Sequence, residues 1–254
     1  TVPTATIAST EVTTGGRLNE AVTFTVTFSE EMTGIADGDI TVGDARCTLS
    51  SYTVATANTV FTQVCGGSGY TNGETITISV AASAGTDPAG NANTAATDFT
   101  WTYDTTVPTV TSIAVTGVTS GQYGTAATYQ VIVTGSETLE DAPTLVLGGG
   151  SITTAGAGSS SDAVWTYTFT PTDNDEAVTI DIAAGGITDA AGNDNTAAAT
   201  QFAFTHDRTA PTISTVAVAG ATEDGYGTAA TYVVTITPSE TLSAVPTLTV
   251  TGGT

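Results

Sequence analysis

One acidic loop occurs with almost the same sequence at two places in the chain. The segment "DPAGNANTAATDF" begins at Asp87, and "DAAGNDNTAAATQF" begins at Asp189. Each loop places an aspartate shortly before Ala-Gly-Asn and a second asparagine two positions later. Carboxylate and amide oxygens are the hard donors that Ca²⁺ prefers. The glycine permits a tight turn that folds the first asparagine back toward the aspartate. The repeated loop is therefore a candidate calcium ligand set.

A plain turn is the alternative, because Asp and Asn also hydrogen-bond their own backbone without any ion. The charge of the chain bears on this choice. It carries 25 acidic residues against 3 basic ones, for a net charge of −22. Nucleic acid and anionic membranes recruit clustered Lys and Arg, so neither is expected as a partner. The charge instead favours cations and keeps a surface protein soluble.

The chain also repeats itself on the scale of whole domains. "TVPT" opens the sequence and recurs at Thr106, and "TAPT" begins at Thr209. The second and third copies further share "YGTAATY", "SETL" and "PTL". A period of roughly 100 residues suits a β-sandwich domain. The sequence therefore predicts two full domains and one incomplete domain, at residues 1–104, 105–207 and 208–254.

Within each copy, apolar residues alternate with polar ones, mostly threonine. Such alternation is typical of antiparallel strands with one buried and one solvated face. About seven strands fit each full copy, and no amphipathic helix is evident. We predict an all-β fold of tandem immunoglobulin-like antiparallel sandwiches, arranged as beads on a string. The clearest runs are Val22, Phe24, Val26 and Phe28 in the first copy, and Tyr129, Val131 and Val133 in the second.

Four motifs recur at domain spacing: the joint "DTTVPT", "FSEEM" or "GSETL" after the second strand, "PTLVL", and the late "D-x-AGN" loop. With these motifs, essentially the whole chain resembles the bacterial Ig-like repeats of large secreted adhesins, surface-layer proteins and cell-surface stalks. The resemblance implies an extracellular, cell-surface location and calcium at the joints between domains. It also implies that the partners are neighbouring repeats of the same chain, with a homo-oligomeric lattice or filament as a further possibility.

The topology of such a sandwich brings two loops to the pole where the chain enters each domain. These are the loop after the second strand and the repeated loop before the last strand. Two unit charges about 4 Å apart repel by about 4 kcal/mol at a surface-like dielectric, so carboxylates gathered there favour a cation. We expect the calcium ligands to be Glu30, Asp87, Asn91 and Asn93 in the first copy, Asp104, Glu137, Asp189, Asn193 and Asn195 at the first joint, and Asp207 and Glu240 at the second.

A second acidic cluster, "TDNDEA", begins at Thr172 at the opposite pole of the second copy. We interpret it as a solvated turn. The alternative is a further cation site shared with Asp207, or with Glu223 and Asp224 of the third copy.

The chain has two cysteines, Cys47 and Cys65, and both lie in the first copy. A disulfide between them is expected, and it would indicate an oxidising compartment. Two buried thiols are the alternative.

No enzymatic activity is expected. His206 is the one histidine of the chain, and one histidine cannot build a multi-histidine zinc site. No nucleophile-elbow motif accompanies it for a catalytic triad. The sequence favours a non-enzymatic spacer, with adhesin stalk, surface layer and filament left open. An accessory carbohydrate-binding module is the alternative, although most aromatic residues occupy inward positions of the alternating pattern.

Overall fold

The computed structural model describes residues 1–44, 46–56, 58–66, 69–157, 163–221 and 225–251. Glu223 and Asp224, named above as partners of "TDNDEA", lie outside the described residues. Regular structure in the described part is β, except for one short 3-10 helix at Asp37–Asp39. None of the described helical structure is long and apolar enough to span a membrane. The predicted all-β class is confirmed.

The first sandwich packs two sheets face to face. One sheet has the order β1-β3-β7-β5, with β6 also paired to β7, and the other has the order β2-β9-β8-β4. Adjacent strands are antiparallel except β2 and β9, which run parallel. The strands are β1 (Ala5–Ser9), β2 (Gly16–Leu18), β3 (Val22–Phe28), β4 (Ile40–Val42), β5 (Thr48–Leu49), β6 (Thr53–Thr56), β7 (Val60–Gly66), β8 (Glu74–Val80) and β9 (Phe99–Tyr103).

The second sandwich repeats this plan. Its sheets have the orders β10-β12-β15-β14 and β11-β17-β16-β13, and β11 runs parallel to β17 as β2 does to β9. The two sandwiches therefore present equivalent strands at equivalent poles. The strands are β10 (Val110–Val115), β11 (Tyr123–Gly124), β12 (Tyr129–Gly135), β13 (Val146–Gly148), β14 (Gly150–Ala157), β15 (Val164–Pro171), β16 (Asp175–Asp181) and β17 (Phe202–Asp207).

The alternating residues build a separate core in each sandwich. Val22, Phe24 and Val26 are fully buried, while the threonines between them face outward. On that outer face the hydroxyls of Thr25 and Thr62 lie 3.3 Å apart on neighbouring strands. The second core repeats the pattern from β12, β15 and β16. Burial of the apolar face, the main favourable term in folding, thus holds each domain together by itself.

His206 belongs to the second core. It is buried in β17, and its Nδ1 lies 2.9 Å from the hydroxyl oxygen of Tyr129. That same hydroxyl accepts a hydrogen bond from the backbone N–H of Ala126. Burial raises the pKa of Tyr129, so the phenol stays protonated and can donate to the imidazole. The histidine is therefore used as a packing residue.

A disulfide joins Cys47 to Cys65, with the two Cα atoms 5.3 Å apart. It fastens the segment before β5 to the end of β7, and both residues are buried in the first core. The expected bridge is confirmed. Closing a loop of this size stabilises a domain by roughly 3 kcal/mol on the chain-entropy estimate. Beside it, Arg46 forms ion pairs with Asp44 and Glu74, which pins the loop before β8.

The described residues of the third copy form one antiparallel pair, β18 (Ile213–Val218) and β19 (Val234–Pro238). These strands correspond to β10 and β12 of the second sandwich. The residues that are buried there are open here: Tyr129 is 2% exposed, whereas its counterpart Tyr232 is 40% exposed. Val216 is also exposed. The pair displays an apolar face that the second sandwich covers with β16 and β17.

We predict that a peptide of residues 208–254 has no cooperative unfolding transition, because two strands cannot bury their apolar face. Calorimetry of the monomeric peptide, run beside the full chain, checks this. A sharp heat-absorption peak from the isolated monomer would contradict the prediction.

Candidate metal centre

Two loops lie side by side at the entry pole of the second sandwich. They are the loop after β12 and the repeated loop before β17. The backbone N–H of Glu140 donates to the carbonyl of Thr188 at 2.9 Å, and the fully buried Leu139 anchors the first loop in the core. The first sandwich uses the same device, with Thr33 and Thr86 exchanging backbone hydrogen bonds at 2.7 and 3.0 Å. The structure thus brings together the loops that carry Glu137 and Asp189.

Asp189 organises its own loop. Its Oδ1 accepts the backbone N–H groups of Ala191 and Asn193, both at 2.8 Å. Its Oδ2 accepts the side-chain N–H of Asn193 at 3.0 Å. Gly192 between them has a φ of 85°, a left-handed conformation that favours glycine. Asp87 and Asn91 repeat this arrangement in the first copy. An Asx turn therefore shapes both loops.

Asn195 is buried, and it braces the same loop from inside. Its side-chain oxygen accepts the N–H of Ile187 at 3.0 Å, and its amide nitrogen donates to the carbonyls of Ala183 and Ala197. Asn93 also makes three bonds to backbone in the first copy: its oxygen accepts the N–H of Gly85, and its amide nitrogen donates to the carbonyls of Ala81 and Thr94. The hydrogen-bonding groups of both amides are taken by backbone, so we leave both asparagines out of the ligand set proposed below.

Three carboxylates converge where the first domain meets the second. One oxygen each from Asp104, Glu137 and Asp189 lies within 4.8 Å of the other two. Asp104 directly follows β9, and its backbone N–H donates to the carbonyl of Leu18. Asp104 and Asp189 are each only 2% exposed, and Glu137 is half-buried. Among the described residues this is the one cluster of three such groups.

The carboxylates in this cluster are electrostatically unequal. Burial raises the pKa of Glu137, and the negative charges of Asp189 and Asp104 raise it further. Burial also acts to raise the pKa of Asp104. There, however, hydrogen bonds from Thr106 and Arg17 outweigh it, and the net shift is downward. Glu137 is therefore the carboxylate least well compensated by the protein.

Arg17 is a functional residue that the sequence interpretation missed. Its Nη1 lies 2.6 Å from Oδ2 of Asp104. The arginine is on β2, where the parallel register pairs it with Thr102 at the end of β9, and so its side chain emerges beside the linker. With all carboxylates ionised, three negative charges face one positive charge, leaving a net charge of −2.

Asn193 connects the two domains directly. Its side-chain N–H donates to the backbone carbonyl of Asp104 at 3.0 Å, and its oxygen accepts the amide of Asn19 at 2.9 Å. Asn19 lies just beyond β2, beside Arg17. Two hydrogen bonds therefore already cross the joint next to the carboxylate cluster.

The remaining candidate residues lie outside this cluster. Glu30 accepts a hydrogen bond from the hydroxyl of Thr1, and Asp207 accepts one from the N–H of Thr209. Glu240 is half-buried, and its Oε1 has no hydrogen-bond partner. In "TDNDEA", Glu176 accepts the N–H groups of Thr172 and Asp173. The first three residues of that segment therefore form the turn between β15 and β16, and Asp175 begins β16.

Residues 1–103, which contain the first sandwich, match the family described as bacterial Ig-like domain. This confirms the resemblance read from the repeated motifs. The family is generally non-enzymatic. A search of curated proteins returned no match.

Among solved structures, the chain is similar to a chimeric titin Z1Z2 functionalized with a KLER exogenous peptide from decorin. The two share 10% identity over 78% of this chain and 94% of that one, with a TM-score of 0.31. At that score the likeness says nothing about how the domains of the two chains are arranged.

We predict that Asn195→Ala destabilises the second domain by roughly 3 kcal/mol, because it leaves buried backbone groups without hydrogen bonds. Asp194→Asn, at an exposed position of the same loop, keeps an oxygen that can accept the hydrogen bond of the Thr188 hydroxyl and should cost less than about 0.5 kcal/mol. Urea unfolding of both variants, followed by Trp165 fluorescence in a Trp101→Phe background, measures the difference. Equal stabilities would contradict the bracing role of Asn195.

Proposed function

We propose that this chain is a non-enzymatic structural repeat region of a large extracellular cell-surface protein, in which Ca²⁺ stiffens the joint between the first two domains. The observation that carries the proposal is the meeting of Asp104, Glu137 and Asp189 within 4.8 Å. The match of residues 1–103 to the bacterial Ig-like domain family supports the structural part.

The residues at the joint fit a calcium ion. The donor set consists of carboxylate oxygens, which is the chemistry that Ca²⁺ prefers. Asp104 comes from the linker, and Glu137 and Asp189 come from two loops of the second domain. These three residues would hold the ion, and its two positive charges would offset the negative charge that Arg17 leaves uncompensated. Removing a carboxylate from water costs several kcal/mol unless such compensation is present.

The proposed mechanical role follows from where the ligands originate. An ion held by Asp104 on one side and by Glu137 and Asp189 on the other would fix the angle between successive domains. Contacts of ordinary size between domains otherwise leave them free to move. Extracellular calcium modules bind with dissociation constants of about 10⁻⁴ to 10⁻³ M, so such a joint would be filled outside the cell and emptied by a chelator.

The positions of the aromatic residues favour a spacer over a carbohydrate-binding module. Both tryptophans, Trp101 and Trp165, are buried in the two cores. The most exposed tyrosines of the described residues, Tyr123 and Tyr226, lie in different copies. Among the described residues, the most exposed tyrosines thus form no shared aromatic surface of the kind that sugar binding generally uses. A stalk, a surface layer and a filament would all use rigid joints of the proposed kind.

We predict that Glu137→Gln changes stability in opposite directions with and without calcium. The pKa of Glu137 is raised in the fold, so its contribution to stability is present at low pH and is lost as the pH rises through that pKa. At pH 7 in EGTA, the neutral amide should therefore make the second domain more stable than wild type. In 10 mM Ca²⁺ the order should reverse, because wild type gains about 2 kcal/mol from binding while the variant lacks a ligand.

Urea unfolding under both conditions, again followed by Trp165 fluorescence, measures this crossover. Glu140→Gln removes an exposed charge from the same loop and is the matched control. It should behave like wild type in both buffers. A wild-type stability indifferent to millimolar Ca²⁺, or a Glu137→Gln variant weakened equally in both buffers, would refute the calcium proposal.

A further inference from the structure

Arg17 is one of only 3 basic residues in the chain, and it contacts a carboxylate of the first joint. Its guanidinium contacts Asp104, whose side chain is 3% exposed, while its own side chain is 54% exposed. An ion pair between two exposed partners contributes little, but a buried carboxylate is far more sensitive to a nearby positive charge. Arg17 also acts on the second domain, because its charge opposes the rise in the pKa of Glu137.

The second copy has no arginine at the corresponding place. Arg17 pairs with Thr102 in the register of β2 with β9, and Tyr123 pairs with Thr205 in the register of β11 with β17. The two pairs are equivalent, since Asp104 follows one strand pair as Asp207 ends the other. Tyr123 is 70% exposed and brings no charge. Two joints of similar construction therefore differ at this position by one positive charge.

We propose that Arg17 is the resident counter-cation of the first joint. Without metal, its guanidinium neutralises part of the carboxylate charge and keeps the domains aligned. With metal, which rests on the proposed function above, the same charge opposes the incoming ion and weakens its binding. Arg17 thereby sets how strongly the first joint depends on calcium. In the second copy the corresponding strand position is held by the uncharged Tyr123, and the arginine nearest in sequence to that joint, Arg208, follows Asp207 in the linker.

Arg17 acts through Asp104, since its contact is to that carboxylate and not across the joint. The bonds that do cross the joint come from Asn193, which reaches the carbonyl of Asp104 and the amide of Asn19. Both of those partners lie next to the Arg17 contact. Replacing Arg17 thus leaves these hydrogen bonds available but exposes Asp104 to the full repulsion of Glu137 and Asp189.

The test uses the full chain with one spin label on each of the first two domains, at Thr27→Cys and Gln130→Cys. Both positions are exposed strand residues, and the native cysteines are bonded to each other. Pulsed electron paramagnetic resonance measures the distance distribution in EGTA and in 10 mM Ca²⁺. Calorimetric titration with Ca²⁺ measures affinity in the unlabelled chain. The variants are Arg17→Gln, Arg17→Lys, and Arg17→Tyr, which introduces the residue type of the second copy.

In EGTA, we expect Arg17→Gln and Arg17→Tyr to broaden the distance distribution, while Arg17→Lys stays near wild type. In Ca²⁺ all four proteins should give the same narrow distribution. Loss of the positive charge should tighten Ca²⁺ binding about tenfold, since a unit charge within several ångströms of a divalent ion acts on this scale. Arg208→Gln removes an arginine away from the first joint and should change neither quantity.

The outcomes separate this inference from the calcium proposal. If no protein binds Ca²⁺ but Arg17→Gln still broadens the distribution in EGTA, the counter-cation role stands and the calcium proposal fails. If wild type binds Ca²⁺ and Arg17→Gln matches it in affinity and in metal-free distance distribution, the role assigned to Arg17 is wrong. If no protein binds Ca²⁺ and no variant alters the distribution, both are overturned. Unchanged urea unfolding of the first domain establishes that the variants are folded.

Discussion

Asp104 and Asp189 are almost completely buried, and they meet Glu137 at the end of one domain and the start of the next. Like charges in such a place repel strongly, because the surrounding protein screens them less than water does. Other features of the joint can be understood as responses to that repulsion. Arg17 forms an ion pair with Asp104, and the Asx turn gives Asp189 hydrogen bonds from backbone N–H groups. The pKa of Glu137 is raised by its burial and by the repulsion that remains.

The division between core and joint lets the two be tuned separately. Each sandwich closes its own apolar core, and the carboxylate cluster of the joint is no part of either core. The residue next to the linker can therefore differ between the two domains. It is Arg17 on β2 in the first domain and Tyr123 on β11 in the second, and both strands have the same parallel pairing. A chain built in this way can combine domains of the same fold with joints of different stiffness. That property suits a protein whose function is to hold a shape over a distance.

The fold was readable from the sequence because its signal is local. The alternation at Val22, Phe24 and Val26 has the period of a strand, and a period of roughly 100 residues suits the sandwich. The disulfide was readable because only Cys47 and Cys65 could form one. The meeting of Glu137 with Asp189 followed from the order of strands, which any such sandwich imposes on its loops.

The detailed contacts at the joint could not be predicted from the sequence, for two physical reasons. Arg17 reaches Asp104 through β2, a strand of three residues with no alternating pattern to reveal its register. The two asparagines of the repeated loop, Asn193 and Asn195, look equivalent in sequence. In a turn, however, side chains two positions apart can point in different directions. Asn193 accordingly faces the neighbouring domain, while Asn195 is enclosed by its own backbone.

The proposed calcium ion would lie among the three carboxylates of Asp104, Glu137 and Asp189. Crystals of the full chain grown in millimolar CaCl₂ test it most directly, by anomalous diffraction recorded at long wavelength. The account predicts a calcium peak about 2.3 to 2.6 Å from oxygens of Asp104, Glu137 and Asp189, which disappears when the crystals are soaked in EGTA. Well-ordered carboxylates with no peak between them in the calcium-grown crystals would contradict the account.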